Sequence, residues 1–162
     1  MTVQVHLGLG ANIEPEQCLR AAVKLLRETF VNLQLSPVYQ TQAVGINGPD
    51  FLNMVVSFST CMPLAELQAW IKLMETKHGR DRSEPQPSCH RLDMDVLLYG
   101  NLISEADRVP RSDVLERAYV LRPLADVAPD LVYPGGQKTI SQLWQASQLG
   151  QVTEVFALGF TS

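Results

Sequence analysis

The feature that most constrains this chain is an unbroken apolar run, Val96-Leu97-Leu98, with two aspartates at its entrance and Gly100-Asn101 at its end. Consecutive apolar residues closed by a turn pair read as a strand buried on both faces. Asp93 and Asp95 stand two residues apart at its mouth. Side chains alternate along a strand, so both carboxylates point to the same side, roughly 7 Å apart at Cα. Like charges held that close beside a buried strand repel each other, and a cation between them relieves the repulsion. Magnesium, which combines carboxylates with substrate phosphates, suits such a pair. Two solvated aspartates at a strand end are the other reading, and the pair alone leaves both open.

The elements around this strand define a fold. Val3, Val5, Leu7 and Leu9 alternate with polar or small residues, as in a half-buried first strand. Pro15 suits a first helical position, and Leu19, Ala22, Val23, Leu26 and Phe30 follow at helical spacing. A second strand is expected from Val31 to about Tyr39 and a third over Phe51–Thr60. Pro63 opens a second helix with Leu64, Leu67, Ile71 and Met74 on one face and Gly79 as its C-cap. Beyond the aspartate strand, Leu102-Ile103 is expected to return as a short strand. A helix is expected from about Asp113 to Leu121, then a loop-rich region from Pro123 to Gly136. A short helix near Ile140–Ala146 and a strand near Val152–Leu158 end the chain. The order β-α-β-β-α-β predicts an α+β, ferredoxin-like sheet with both helices on one face and further helices and strands at the C-terminal end. At 162 residues and 46% hydrophobic content, one domain over 1–162 with its own core is expected.

Charge narrows the function classes. A net charge of −4 argues against a general nucleic-acid binder, and no apolar run approaches a membrane span. The first residues, Met1-Thr2-Val3-Gln4-Val5, read as a strand and not as a signal peptide, so a cytoplasmic protein is expected, with a monomer favoured. Cys18, Cys61 and Cys89 are odd in number and form no Cys-x-x-Cys, which indicates neither a disulfide framework nor a zinc site. Seven of the nine arginines fall between residues 80 and 122, where eight acidic residues accompany them. This is no basic patch, yet arginine forks suit bidentate phosphate contacts and these flank the aspartates.

Several positions invite a ligand. Gly8 and Gly10 permit close backbone approach. The segment Thr41–Asp50, with its glycines, proline and asparagine, reads as an irregular loop. Phe51 and Asn53 share one face at the entrance of the third strand, where an aromatic ring and an amide can stack on and hydrogen-bond a flat heterocycle. A core phenylalanine and a turn asparagine fit the same residues. Glu75 lies in the last turn of its helix, where a carboxylate opposes the helix dipole.

Taken together, the residues resemble the 6-hydroxymethyl-7,8-dihydropterin pyrophosphokinase family of folate synthesis. The resemblance runs through Gly8-Leu9-Gly10-Ala11-Asn12, Gly48-Pro49-Asp50-Phe51-Leu52-Asn53, and Glu75 with Gly79-Arg80-Asp81-Arg82. It continues through Leu92 to Asn101, Val109-Pro110, Arg117 to Leu124, and Ala128 to Leu131. It implies an enzyme that transfers pyrophosphate from ATP, as co-substrate, to the pterin hydroxymethyl group and releases AMP. Its partners would then be small molecules, ATP and a dihydropterin. The same resemblance implies that Asp93 and Asp95 hold two magnesium ions, and that Phe51 and Tyr119 sandwich the pterin. Asn53 would read the pterin edge with help from the backbone around Thr41, Ala43 and Val44. Glu75, Arg80 and Arg82 match positions near the nucleotide and in the catalytic loop, and Arg117 matches a phosphate-contacting arginine.

The chain departs from the family's pattern in that loop. Where the family reads Arg-Trp-Gly-Pro-Arg-x-Leu-Asp, this chain reads Gln86-Pro87-Ser88-Cys89-His90-Arg91-Leu92-Asp93. Pro87 replaces the tryptophan, His90 takes the arginine's place, and Arg91 is shifted by one, which on a strand-like segment changes the face it serves. The family's His-Tyr after Val-Pro is here Arg111-Ser112. The resemblance thus implies catalytic positions at Arg80, Arg82, His90 and Arg91, and nucleotide positions at Glu75, Arg111, Ser112 and Arg117. The pterin and metal halves match better than the triphosphate half. Besides the active pyrophosphokinase, a pterin-binding paralogue with weak or no such activity is the alternative.

Overall fold

The computed structural model describes residues 2–41, 50–78, 92–147, 149, 154–156 and 158–160. Five strands lie side by side in the order β5 (Leu92–Tyr99), β1 (Val3–Ala11), β4 (Phe51–Thr60), β3 (Val38–Thr41) and β6 (Glu154–Phe156), and β2 (Val31–Leu35) also pairs with β4. Every pairing is antiparallel. Together with α1 (Pro15–Thr29) and α2 (Leu64–His78), this is the expected ferredoxin-like arrangement.

Period-two alternation sorts the sheet into two faces. Val5, Leu7, Leu9 and Ala11 of β1, Leu52, Met54, Val56 and Phe58 of β4, and Leu92, Met94 and Val96 of β5 all join one core. The apolar stripes of α1 (Leu19, Ala22, Val23, Leu26) and α2 (Leu64, Leu67, Ile71, Met74) cover that face. The other face carries a second, smaller core of Val55, Leu97 and Leu98. It is covered by Val114 of α3 (Asp113–Glu116), Val120, Leu121 and Leu124 of α4 (Ala118–Val127) and Ile140 of α5 (Ile140–Ala146). Leu97 and Leu98 reach the same core because the β1–β5 register slips between His6 and Leu7. The bulge adds one residue to β5, which returns Tyr99 to the first core.

Four differences from the sequence reading have physical causes. The second strand is two strands, divided at Ser36-Pro37. Proline lacks the N–H a ladder needs. Ser36 fills the gap: its N–H donates to Val55 O at 2.9 Å and its Oγ accepts from Val55 N–H at 2.8 Å. Within β2, Asn32 has φ 58°, the register shifts, and Val31 is 61% exposed, so the alternation there marks no buried face. Leu102 and Ile103 join no strand: they follow the turn at Gly100-Asn101, which the Leu102 N–H closes by donating to Tyr99 O, and only Ser104 makes an isolated bridge, to Val109. The helix expected from Asp113 breaks at Arg117, which is extended (φ −124°, ψ 120°), and α4 then continues through Pro123. Finally, Cys18 is disulfide-bonded, contrary to the expectation of no disulfide. Among the described residues no helix is long and apolar enough to cross a membrane. The expected C-cap at Gly79 lies outside the described residues.

A polar cluster fastens α4 to β3. The Tyr39 hydroxyl donates to Asp126, and Arg122 Nε donates to the Tyr39 oxygen at 3.1 Å. The same guanidinium lies 3.7 Å from Asp126 Oδ1 and 5.4 Å from the Trp144 ring centroid, which ties in α5.

Two stability predictions follow from these packings. Ser36→Ala leaves the buried Val55 N–H without its acceptor, which costs about 1–3 kcal/mol in urea unfolding; an unchanged midpoint would show that water replaces the hydroxyl. His6 is buried, and burial pushes its pKa from 6.5 down to about 4. Between those values the unfolded chain binds the extra proton, so this stability is complete above pH 6.5 and is lost as pH falls toward 4, by up to about 3 kcal/mol. Unfolding free energies at pH 7.5, 5.5 and 4.5 should fall less steeply for His6→Gln than for the parent chain; parallel slopes would exclude His6 as the source.

Candidate active site

The helices of the second face cover only part of the sheet. The remainder floors a cavity of about 480 Å³ whose lining includes Gly8, Gly10, Thr41, Phe51, Asn53, Asp93, Asp95, Asp113, Arg117 and Tyr119. Register explains the arrangement. Gly10 pairs with Asp93 on one side and Asn53 on the other, and Gly8 likewise stands between Asp95 and Val55. Carboxylates, glycines and an amide therefore lie in rows across three adjacent strands. With strands about 4.8 Å apart, roughly 10 Å separates the Asp93 backbone from that of Asn53.

The glycines keep the middle of each row open. A Cβ added at Gly10 would lie 2.9 Å from Asn53 Oδ1, and one at Gly8 would lie 3.3 Å from a Leu97 methyl. These glycines were expected to leave room for a ligand; at Gly10 the room is first of all for the Asn53 amide. That amide is 7% exposed, and its Nδ2 donates to Thr41 Oγ1 at 3.0 Å. Phe51 pairs with Thr41 across β3–β4 at the same rim. Tyr119 reaches the opposite wall because the break at Arg117 starts α4 there. The expected trio of Phe51, Asn53 and Tyr119 thus shares one chamber with Thr41 and the aspartates.

The acidic end is electrostatically mixed. Asp93 and Asp95 do point to the same side, and Asp113, expected only as a helix start, joins them. Arg111 sits among them, its Nε 3.2 Å from Asp113 Oδ2 and its Nη2 3.7 Å from Asp95 Oδ1. Burial pushes the Asp95 carboxyl above the ordinary aspartate range; the Arg111 guanidinium pulls it down and the Asp93 charge raises it. Burial also raises the Tyr119 phenol, opposed by Arg117. An Arg-x-Asp spacing at 111–113 was the available signal for Asp113, but it is too short a motif to identify a site.

Not every expected residue lines the chamber. Ser112 opens α3 in an adjoining cleft of about 500 Å³ with Ile103, Arg108 and Arg111, and Asp113 borders both spaces. Glu75 works from α2: its Oε2 accepts the Met94 backbone N–H at 3.0 Å, between the two aspartates in sequence. Its place in the last helical turn, unfavourable for the dipole, is thereby accounted for. Ala43, Val44, Arg80, Arg82, His90 and Arg91 lie outside the described residues.

Two facing carboxylates in a partly covered cavity fit a hard divalent cation. Among the described residues no three His, Cys, Asp or Glu side chains form a complete metal cage. A magnesium ion here would complete its oxygen shell from phosphates and water, as such ions do when two carboxylates and a nucleotide share them.

Comparison with known proteins identifies the family. Residues 6–129 match the family model for 7,8-dihydro-6-hydroxymethylpterin-pyrophosphokinase (HPPK). The chain is 34% identical over 144 residues to a 2-amino-4-hydroxy-6-hydroxymethyldihydropteridine pyrophosphokinase of Pseudomonas aeruginosa, covering 85% of this chain and 88% of that one. It is 32% identical over 142 residues to the protein of the same name from Haemophilus influenzae, covering 83% and 88%. The fold also resembles a crystal structure of Plasmodium falciparum HPPK-DHPS, with a TM-score of 0.71 at 14% identity. That match covers 90% of this chain but 44% of the longer Plasmodium chain. By the family match and the identity to these relatives, the chain belongs to the 7,8-dihydro-6-hydroxymethylpterin-pyrophosphokinase family.

Proposed function

We propose that this chain catalyses the magnesium-dependent transfer of pyrophosphate from ATP to 6-hydroxymethyl-7,8-dihydropterin in folate biosynthesis. Family membership supports the activity. The observation that carries the residue assignment is the single chamber in which Asp93 and Asp95 face Phe51, Asn53, Thr41 and Tyr119. In the reaction the hydroxymethyl oxygen bonds to the β-phosphorus as the bond from that phosphorus to the α,β-bridging oxygen breaks. AMP leaves and the hydroxyl proton is released.

The pterin ring lies between Phe51 and Tyr119, whose rings stack on its two faces. The Asn53 amide, oriented by Thr41, reads its edge, with help from the backbone of Thr41, Ala43 and Val44 that the family resemblance implies. The open floor over Gly8 and Gly10 lets the hydroxymethyl arm reach toward the aspartates. Asp93 and Asp95 would hold the two magnesium ions, whose charge would neutralise phosphate oxygens and polarise the β-phosphorus. Arg117 meets the triphosphate from the α3–α4 break. Arg111 and Ser112 flank the nucleotide from the adjoining cleft, while Glu75 keeps β5 in place behind the aspartates. Arg80, Arg82, His90 and Arg91 are assigned to the phosphate chemistry by their match to the family's catalytic loop. Phosphoryl transfer depends mainly on positioning and charge stabilisation, which these residues supply without a covalent intermediate.

Two measurements test this reading. With ATP, magnesium and 6-hydroxymethyl-7,8-dihydropterin, AMP should form at a rate that Asp95→Asn lowers by about 10²–10³-fold, as for loss of a key charge-stabilising group. AMP release that ignores the pterin or survives the substitution would reject it. Gly10→Ala should push the Asn53 amide aside, raising the KM for the pterin about fivefold, the worth of roughly one hydrogen bond, with little change in Tm. An unaltered KM would remove Asn53 from pterin recognition.

A further inference from the structure

Arg111 stands where a metal-binding aspartate pair would least be expected to keep a protein cation. Its backbone N–H donates to Leu97 O at 2.9 Å, which anchors it to β5 at the bulge, two residues beyond Asp95. Its Nε donates to Asp113 Oδ2 at 3.2 Å, and its Nη2 lies 3.7 Å from Asp95 Oδ1. The Arg111 side chain is 26% exposed, against 45% for Asp95 and 33% for Asp113; it borders the adjoining cleft and meets both carboxylates, which border the cavity.

Building on the assignment of Asp93 and Asp95 to the metal, we infer that Arg111 is a tethered counter-cation that competes with the metal for Asp95 and transfers to phosphate when the nucleotide arrives. The geometry separates the two tasks. Asp113 holds the Nε edge, while the Nη atoms remain to reach either Asp95 or an incoming anion. A guanidinium stays protonated throughout the physiological range, so pH does not release it. It has no lone pair to give a metal, so it can only oppose one. A triphosphate changes the balance, because it offers the fork a bidentate anion and frees Asp95 for the ion that the nucleotide carries. The chain should therefore bind a divalent ion weakly alone and well together with nucleotide. Arg111 is a positioning residue in this scheme before the nucleotide enters and a phosphate contact afterwards.

The test is Mn²⁺ binding, followed by the electron-spin-resonance signal of the free ion, without nucleotide and then with a non-hydrolysable ATP analogue. Without nucleotide, Arg111→Gln and Arg111→Met should bind Mn²⁺ about three- to fivefold more tightly than the parent, the scale of a partly exposed ion pair. Arg111→Lys, which keeps the charge, should stay within about twofold. With the analogue present the order should reverse, the Gln and Met variants binding the Mn²⁺–nucleotide complex more weakly than the parent. If those variants gain no Mn²⁺ affinity while Asp95→Asn loses it, the competition is overturned and the metal assignment stands. If Asp95→Asn binds Mn²⁺ as well as the parent, the metal assignment itself falls, and the inference with it. Failure of the order to reverse would remove the transfer to phosphate. Using both Gln and Met guards against one variant that folds poorly.

Discussion

The site depends on the sidedness of the central sheet. Alternation sends one set of side chains from β1, β4 and β5 into the core beneath α1 and α2 and the other set to the opposite face. There the cover is incomplete. Leu97, Leu98 and Val55 lie beneath α3 to α5, while Gly8, Gly10, Asn53, Asp93 and Asp95 border open space. A one-residue slip of β5 against β1 would exchange the aspartates with Leu92, Met94 and Val96, burying two charges in a hydrocarbon core. The large apolar surface on the first face therefore fixes the direction in which the acidic pair points. Glu75 reinforces the same strand by accepting the Met94 N–H.

Within the cavity, burial and charge act against each other. Burial disfavours the ionised form of Asp95, and Asp93 and Asp113 add like charge. Arg111 offsets part of this from the protein's own side. Among the described residues, three acidic groups border one space, with Arg111 paired to two of them and Arg117 on the same lining, so the cavity can still take further positive charge. At the other end the chamber is neutral, with an aromatic ring on each wall and one oriented amide, which suits an uncharged flat heterocycle. The polarity gradient runs along the glycine-floored rows, from the aspartates of β5 to the asparagine of β4.

The far wall is held by tertiary contacts alone. Arg117 is extended, so α3 and α4 are separate helices, and Tyr119 enters the cavity from the first turn of α4. The Tyr39–Asp126–Arg122 cluster then fixes α4 against β3, the strand that also carries Thr41. Both walls of the heterocycle chamber are thus tied to the same pair of neighbouring strands, β3 and β4. The proline within α4 is tolerated because packing against Val55, Leu97 and Leu98 compensates for the lost helical hydrogen bond.

The sequence alone determined the first strand, the Phe51–Thr60 strand, the aspartate strand and the two helices with their apolar faces, because hydrophobic periodicity reports which face such an element buries; in β2 the same alternation marked no buried face. It also determined that Asp93 and Asp95 share a side, since strand geometry admits no other arrangement, and the family resemblance carried Phe51, Asn53 and Tyr119 into one site. The division at Ser36-Pro37, the Leu97–Leu98 bulge and the break at Arg117 were decided by tertiary structure, for each is a compromise between pairing, packing and backbone limits that no local pattern records. The partnership of Arg111 with Asp113 and Asp95, the support of Met94 by Glu75, and the fit of the Asn53 amide over Gly10 belong to the same class. They join residues distant in sequence or hidden in motifs too short to be distinctive, and only folding brings their atoms within reach of one another.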